Sequence, residues 1–126
     1  MKQITEDYVS FEIAKLLKEK GFDTPCRQAY FKDLLVDYTM YGFCDGELID
    51  CPSQSLALKW LREVHKIFIE PFVAIDLNGE YHYCFRLLNS ICKDILEPKD
   101  LVRIGFKDTY EEAVEVALLY ALKNLI

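Results

Sequence analysis

The sequence predicts an α+β domain: a small, mainly antiparallel sheet centred on a hairpin at about 67–87, with three α-helices packed on it as a layered sandwich. Three observations carry this. Two apolar segments, Ile67 to Leu77 and Glu80 to Leu87, are joined by Asn78-Gly79, the strongest short-range hairpin signal in the chain. Three other segments repeat apolar residues at helical spacing. The chain has 126 residues, of which 52% are hydrophobic, enough to fill one core over residues 1–126 without disulfides or metal.

The first helix is expected from about Thr5 to Lys20. Thr5 is a suitable cap, Glu6 and Asp7 suit the positive end of the helix dipole, and Gly21 supplies a left-handed stop. Val9, Ile13, Leu16 and Leu17 form its buried stripe, with Phe11 lying off it. Arg27 to Val36 reads as one strand after Pro25. Tyr38 to Gly46, with two glycines and the aromatics Tyr38, Tyr41 and Phe43, reads as a loop or irregular hairpin, and Glu47 to Cys51 as a short strand. A second helix starts near Pro52-Ser53 and runs to about Lys66, with Ala57, Trp60, Leu61 and Val64 on one face.

For the hairpin, a two-residue type I′ turn would place Leu77 opposite Glu80, Ile75 opposite His82 and Val73 opposite Cys84. Both faces are then largely apolar, so helices or a partner are expected to cover much of both. Leu101 to Ile104 reads as a short edge strand. The last helix, about Thr109 to Leu125, has a Thr109/Glu112 capping box. Its stripe comprises Tyr110, Ala113, Val114, Ala117, Leu118, Ala121, Leu122 and Leu125, whose alanines allow close approach to the sheet. Val116, Leu119 and Tyr120 fall outside that stripe and suggest an interaction surface, as Phe11 does.

Charge and targeting narrow the function classes. The net charge is −6, and 15 Lys and Arg are scattered among 21 Asp and Glu. Nucleic-acid binding needs a basic stripe that displaces counterions, so it is disfavoured; the one arrangement that would support it is a patch of Arg27, Lys32, Lys59, Arg62 and Lys66. No apolar run reaches the ~20 residues that span a bilayer. The first seven residues carry no apolar signal region, which points to the cytoplasm and to reduced thiols for the five cysteines.

Candidate chemistry is thin. His82, Cys84 and Arg86 share one strand face, and a Cys–His pair is the minimum for an activated thiol. Residues two apart on a strand sit about 6–7 Å apart with parallel side chains, so a direct hydrogen bond is poor, and a packed cysteine beside a half-exposed histidine explains the row. No close cysteine pair of the kind found in zinc sites occurs, and no metal or cofactor is expected. Asp108, Glu111, Glu112 and Glu115 could be read as paired acids, but dipole complementation on a solvated helix face accounts for them. Ser53-Gln54-Ser55 opens a helix without a glycine-rich phosphate loop, so capping is the default there.

The run Ser53-Gln54-Ser55-Leu56-Ala57-Leu58-Lys59-Trp60-Leu61-Arg62-Glu63-Val64-His65, then a hairpin, then Asp108-Thr109-Tyr110-Glu111-Glu112-Ala113, resembles small uncharacterised proteins of gut bacteria and their phages, of the phage ABA-sandwich type. The resemblance covers roughly residues 51–126. It implies a layered fold and a mobile-element origin, and brings no activity, cofactor or catalytic residue with it.

The first functional expectation is therefore a non-enzymatic protein-binding or accessory protein, contacting another protein or a second copy of itself. The alternative is a small enzyme or ligand binder with a pocket formed by the Tyr38, Tyr41 and Phe43 loop and the His82, Cys84 and Arg86 row.

Overall fold

The computed structural model describes residues 5–38, 47–91, 93–96 and 107–126. It is an α+β fold, with three helices and two antiparallel sheets among the described residues. The order is α1 (Phe11–Glu19), β1 (Gln28–Phe31), β2 (Leu34–Asp37), β3 (Leu48–Asp50), α2 (Gln54–Val64), β4 (Phe68–Ile75), β5 (Tyr81–Leu88) and α3 (Tyr110–Asn124). Strands β2-β1-β3 make one sheet and β4-β5 the other. The segments 101–104 and 39–46 read above as an edge strand and a loop lie outside the described residues.

α1 begins later than its sequence suggests. Its cap is Ser10, whose hydroxyl accepts the Ile13 N–H at 3.3 Å, and Thr5 is not the cap. The reason is competition for the backbone just upstream. Asp7 O accepts the Gln54 N–H, the Val9 N–H donates to Pro52 O, and Tyr8 bridges Ser53, so the start of α2 holds residues 7–9 extended. Val9 is still fully buried, as an extended residue. The stop is as expected. Gly21 has φ +96°, the Phe22 N–H reaches Leu17 O and the Gly21 N–H reaches Lys18 O, the paired bonds of a Schellman cap.

The expected single strand over 27–36 is two strands. Lys32 takes φ +58° in a two-residue turn, and Phe31 pairs Leu34. No glycine marks this turn, which is why it was illegible. In α2, Ser53 caps Leu56 N–H, and Ala57, Trp60 and Leu61 are buried. Val64 is exposed, contrary to its expected place on that face, because the helix ends there and the chain turns away through Lys66 at φ +57°.

The hairpin forms, but its register differs by one residue from expectation. Ile75 pairs Tyr81, Ala74 pairs His82, Val73 pairs Tyr83 and Phe72 pairs Cys84. Asp76 N–H donates to Glu80 O and Gly79 N–H to Asp76 O, leaving a three-residue loop of Leu77, Asn78 and Gly79. Gly79 alone of these has positive φ, +80°, so this is a type I turn closed by a glycine bulge. The Asp76 carboxylate explains the choice: its Oδ1 accepts the N–H groups of Asn78 and Glu80, which stabilises the longer loop.

α3 is the spine. Thr109 caps it, accepting the Glu112 N–H, and Ala113, Val114, Ala117, Leu118, Ala121 and Leu122 are fully buried. It packs on α1, α2, β4 and β5, while α1 also packs on β3. Their side chains, with Phe85 and Leu87 of β5, make one core. Tyr110 is 43% exposed, and Val116, Leu119 and Tyr120, read as off-stripe contacts, are partly buried against that core. Phe11 is likewise engaged, edge-on to Tyr30 at 5.3 Å. No helix among the described residues is long and apolar enough to cross a membrane.

Candidate functional site

The residues singled out from sequence fall in two places. Tyr38 follows β2, and its hydroxyl donates to Asp50 Oδ1 at 2.8 Å. Burial, then that bond and the Asp50 charge, push its phenol up to about 12. Tyr41 and Phe43 lie outside the described residues. His82, Cys84 and Arg86 share a face of β5, as strand alternation requires, yet each has its own partner. His82 Nε2 lies 2.8 Å from Asp76 Oδ2. Cys84 is buried opposite Phe72. Arg86 forks onto Asp94 at 3.0 and 3.2 Å, with Glu70 at 3.7 Å on the neighbouring strand.

A polar cluster sits beneath the three-stranded sheet. Tyr30 donates its hydroxyl to Val9 O at 2.8 Å, and the Cys51 thiol contacts the same carbonyl. Burial drives the Cys51 thiol up to about 12 and Tyr30 to about 12; burial and the Asp50 charge drive Cys26 to about 11. These thiols stay protonated near neutrality, which is the wrong state for a nucleophile. A cleft of about 300 Å³ reaches Cys26 and Cys51 between Tyr8, Arg27 and Leu56. That volume is at the small end for ligand pockets.

Glu115 belongs to this region, not to a solvated face as its sequence context suggests. Its Oε1 accepts the Ser10 N–H at 3.1 Å, and its Oε2 is buried with no hydrogen-bond partner among the described residues. The acid in mid-α3 thus serves as a long-range anionic cap for α1.

Among the described residues, the most exposed apolar surface lies elsewhere, on the ribbon. Residues opposed across β4-β5 share a face, so Ile69, Pro71, Val73 and Ile75 line up with Leu87, Phe85, Tyr83 and Tyr81. At the base this face is core: Phe85 and Leu87 are buried beneath α3. Toward the tip it runs past the helices. Val73 is 51%, Ile75 64% and Tyr81 71% exposed, and Leu77 at the turn is fully so. Tyr83 stands edge-on to Tyr110 at 6.4 Å, which continues the stripe onto the start of α3. No β4 or β5 residue of this face carries a formal charge, Glu70, Asp76, Glu80 and Arg86 being on the opposite face, but Lys107 pairs with Tyr83 and brings one cation to its edge.

No family model, curated protein or solved structure matches the chain. Nothing in these comparisons bears on the expected resemblance to phage ABA-sandwich proteins.

The sequence leads one to expect helices or a partner over much of both ribbon faces. The helices shield the basal half of one face, and Val73, Ile75, Leu77 and Tyr81 extend beyond them. The signal was in the sequence: apolar residues continue right up to the turn, further than a half-covered ribbon needs for its own core.

Proposed function

We propose that this protein is a non-enzymatic binding module that associates with a second copy of itself through the distal face of the β4-β5 ribbon. The observation that carries this is the contiguous apolar stripe of Val73, Ile75, Leu77, Tyr81, Tyr83 and Tyr110, which carries no acid of β4 or β5. Single exposed apolar residues are ordinary, but a contiguous patch is not. Taking ~150–200 Å² for each fully open side chain of this size, the stripe presents on the order of 500 Å².

Two considerations favour a second copy as the occupant. A molecule of net charge −6 repels its own kind least where the contact carries no acid, and the β4 and β5 residues of this stripe include none, with the cation Lys107 paired to Tyr83 at its edge. A twofold contact of stripe on stripe would bury about 1,000 Å² in total, the low end for a specific interface and the size expected of a reversible, weak dimer. A small-enzyme reading would need an ionisable nucleophile beside a base. Burial holds Cys26 and Cys51 protonated, and His82 is turned to Asp76.

Light scattering on the full chain over a wide concentration range tests the proposal. Wild-type protein is expected to approach twice the chain mass at high concentration, and Ile75→Asp to stay at the chain mass. A wild-type monomer throughout, or an Ile75→Asp dimer of unchanged strength, refutes it.

A further inference from the structure

The one-residue shift in hairpin register has a chemical consequence on the face opposite the apolar stripe. With a two-residue Asn-Gly turn, Asp76 would oppose Tyr81, across the ribbon from Glu80 and His82. The glycine bulge instead sets Asp76 opposite Glu80, with His82 two residues further along the same face. One donor atom from each of Asp76, Glu80 and His82 lies within 4.8 Å of the others.

This is a mixed nitrogen and oxygen set, not a patch of acids. Asp76 is held in place: Oδ1 accepts two backbone N–H groups, from Asn78 at 2.8 Å and Glu80 at 2.9 Å, and Oδ2 faces His82 Nε2 at 2.8 Å. Asp76 and His82 are about three-quarters buried, with side chains 27% and 22% exposed, so two donors are preorganised. Glu80 is exposed and can swing in. Bonds of ~2.0–2.2 Å to a common ion put neighbouring donors roughly 3–4 Å apart, which asks for a small closure of Glu80, for the 2.8 Å hydrogen bond between Asp76 and His82 to open, and for His82 Nε2 to exchange its hydrogen for the ion. With His82 neutral, the three groups carry two negative charges, and no Lys or Arg among the described residues forms an ion pair with Asp76 or Glu80.

We infer that the hairpin turn is a binding site for a divalent transition-metal ion of the zinc class, ligated by Asp76, Glu80 and His82 with water completing the shell. Imidazole with carboxylates suits zinc and its neighbours, whereas magnesium and calcium prefer oxygen alone. The ion would tie the two arms of the ribbon together across the turn. It would do so without touching the apolar stripe, so the inference stands apart from the self-association reading.

The test is calorimetric titration of the untagged, chelator-stripped full chain with zinc chloride at neutral pH, alongside cobalt(II) absorption. One ion per chain is expected, with a melting temperature raised by zinc and no intense thiolate-to-cobalt band. His82→Ala should weaken binding about tenfold or more. Asp76→Asn should do the same while keeping the backbone acceptor of the turn, which separates loss of a ligand from loss of the loop. Absence of zinc binding, binding unchanged in both variants, or a strong thiolate band marking cysteine ligation would each overturn the inference.

Discussion

Glu115→Ala is the substitution that most directly probes how α3 organises the rest of the molecule. The carboxylate lies in the middle of α3, and its Oε1 accepts the N–H of Ser10, the residue that caps α1 105 positions earlier. Removing it leaves a partly buried backbone donor without its acceptor, which costs about 1–3 kcal/mol. Losing the negative charge at the α1 N-terminus adds about 0.3–1 kcal/mol. Relief of the buried, unpartnered Oε2 offsets some of this, so the net loss should be about 1–3 kcal/mol. For a chain of this length the unfolding entropy near the midpoint is roughly 0.26 kcal/mol/K, so Tm should fall by about 4–11 °C. Circular dichroism melts at neutral pH provide the assay, with Glu115→Gln as the control. Gln keeps the acceptor and the volume and should lose no more than about half as much. An alanine variant that melts with the wild type, or a glutamine variant as damaged as alanine, would refute the long-range cap.

Other expectations follow from the same structure. Ala121→Glu puts a charge into the fully buried stripe of α3 and should abolish cooperative unfolding; a wild-type melt would remove that helix from the core. Gly79→Ala should cost about 1 kcal/mol, because φ +80° is strained for any side chain although space is open there, while Asn78→Ala should cost much less; equal losses would indicate a turn with positive φ at both positions. Peptide-resolved alkylation at pH 8 should modify Cys26 and Cys51 at least a hundredfold more slowly than a free thiol, since their thiolate fractions are about 10⁻³ and 10⁻⁴; rapid labelling of native protein would contradict their burial. Because these folded-state values and that of Tyr30 are raised, the stability they confer is fully present below the unfolded values near 8.5 and 10 and is lost as pH climbs toward about 11–12. Tm should therefore decline from about pH 9 upward, less steeply in Cys51→Ala, and a flat alkaline profile would be inconsistent with it.

Where one local signal decides an element, the sequence was enough. Thr109 with Glu112 starts α3, Ser53 starts α2, Gly21 ends α1, and the alanine-rich stripe of α3 lies in the core. It misled where two local signals competed or where a distant partner intervened. Asn78-Gly79 suits a two-residue turn, but Asp76 lies just ahead of it and its carboxylate favours the longer loop, which moves the register by one. Thr5 is a sound cap in isolation, but residues 7–9 are claimed by the start of α2. Glu115 reads as a surface acid because its partner, the Ser10 N–H, is remote in sequence. The candidate surfaces were hidden for the same reason. Which half of a two-sided apolar ribbon is covered depends on how far α3 reaches along it, and the convergence of Asp76, Glu80 and His82 depends on the register.

The central claim is that the uncovered end of the ribbon is a protein contact, and amide chemical shifts followed on dilution test it residue by residue. Val73, Ile75, Leu77, Tyr81, Tyr83 and Tyr110 should move together along one concentration curve, while Leu34 and Leu35, exposed on the other sheet, stay still. Shifts that are independent of concentration, or that concentrate on Leu34 and Leu35, would contradict it.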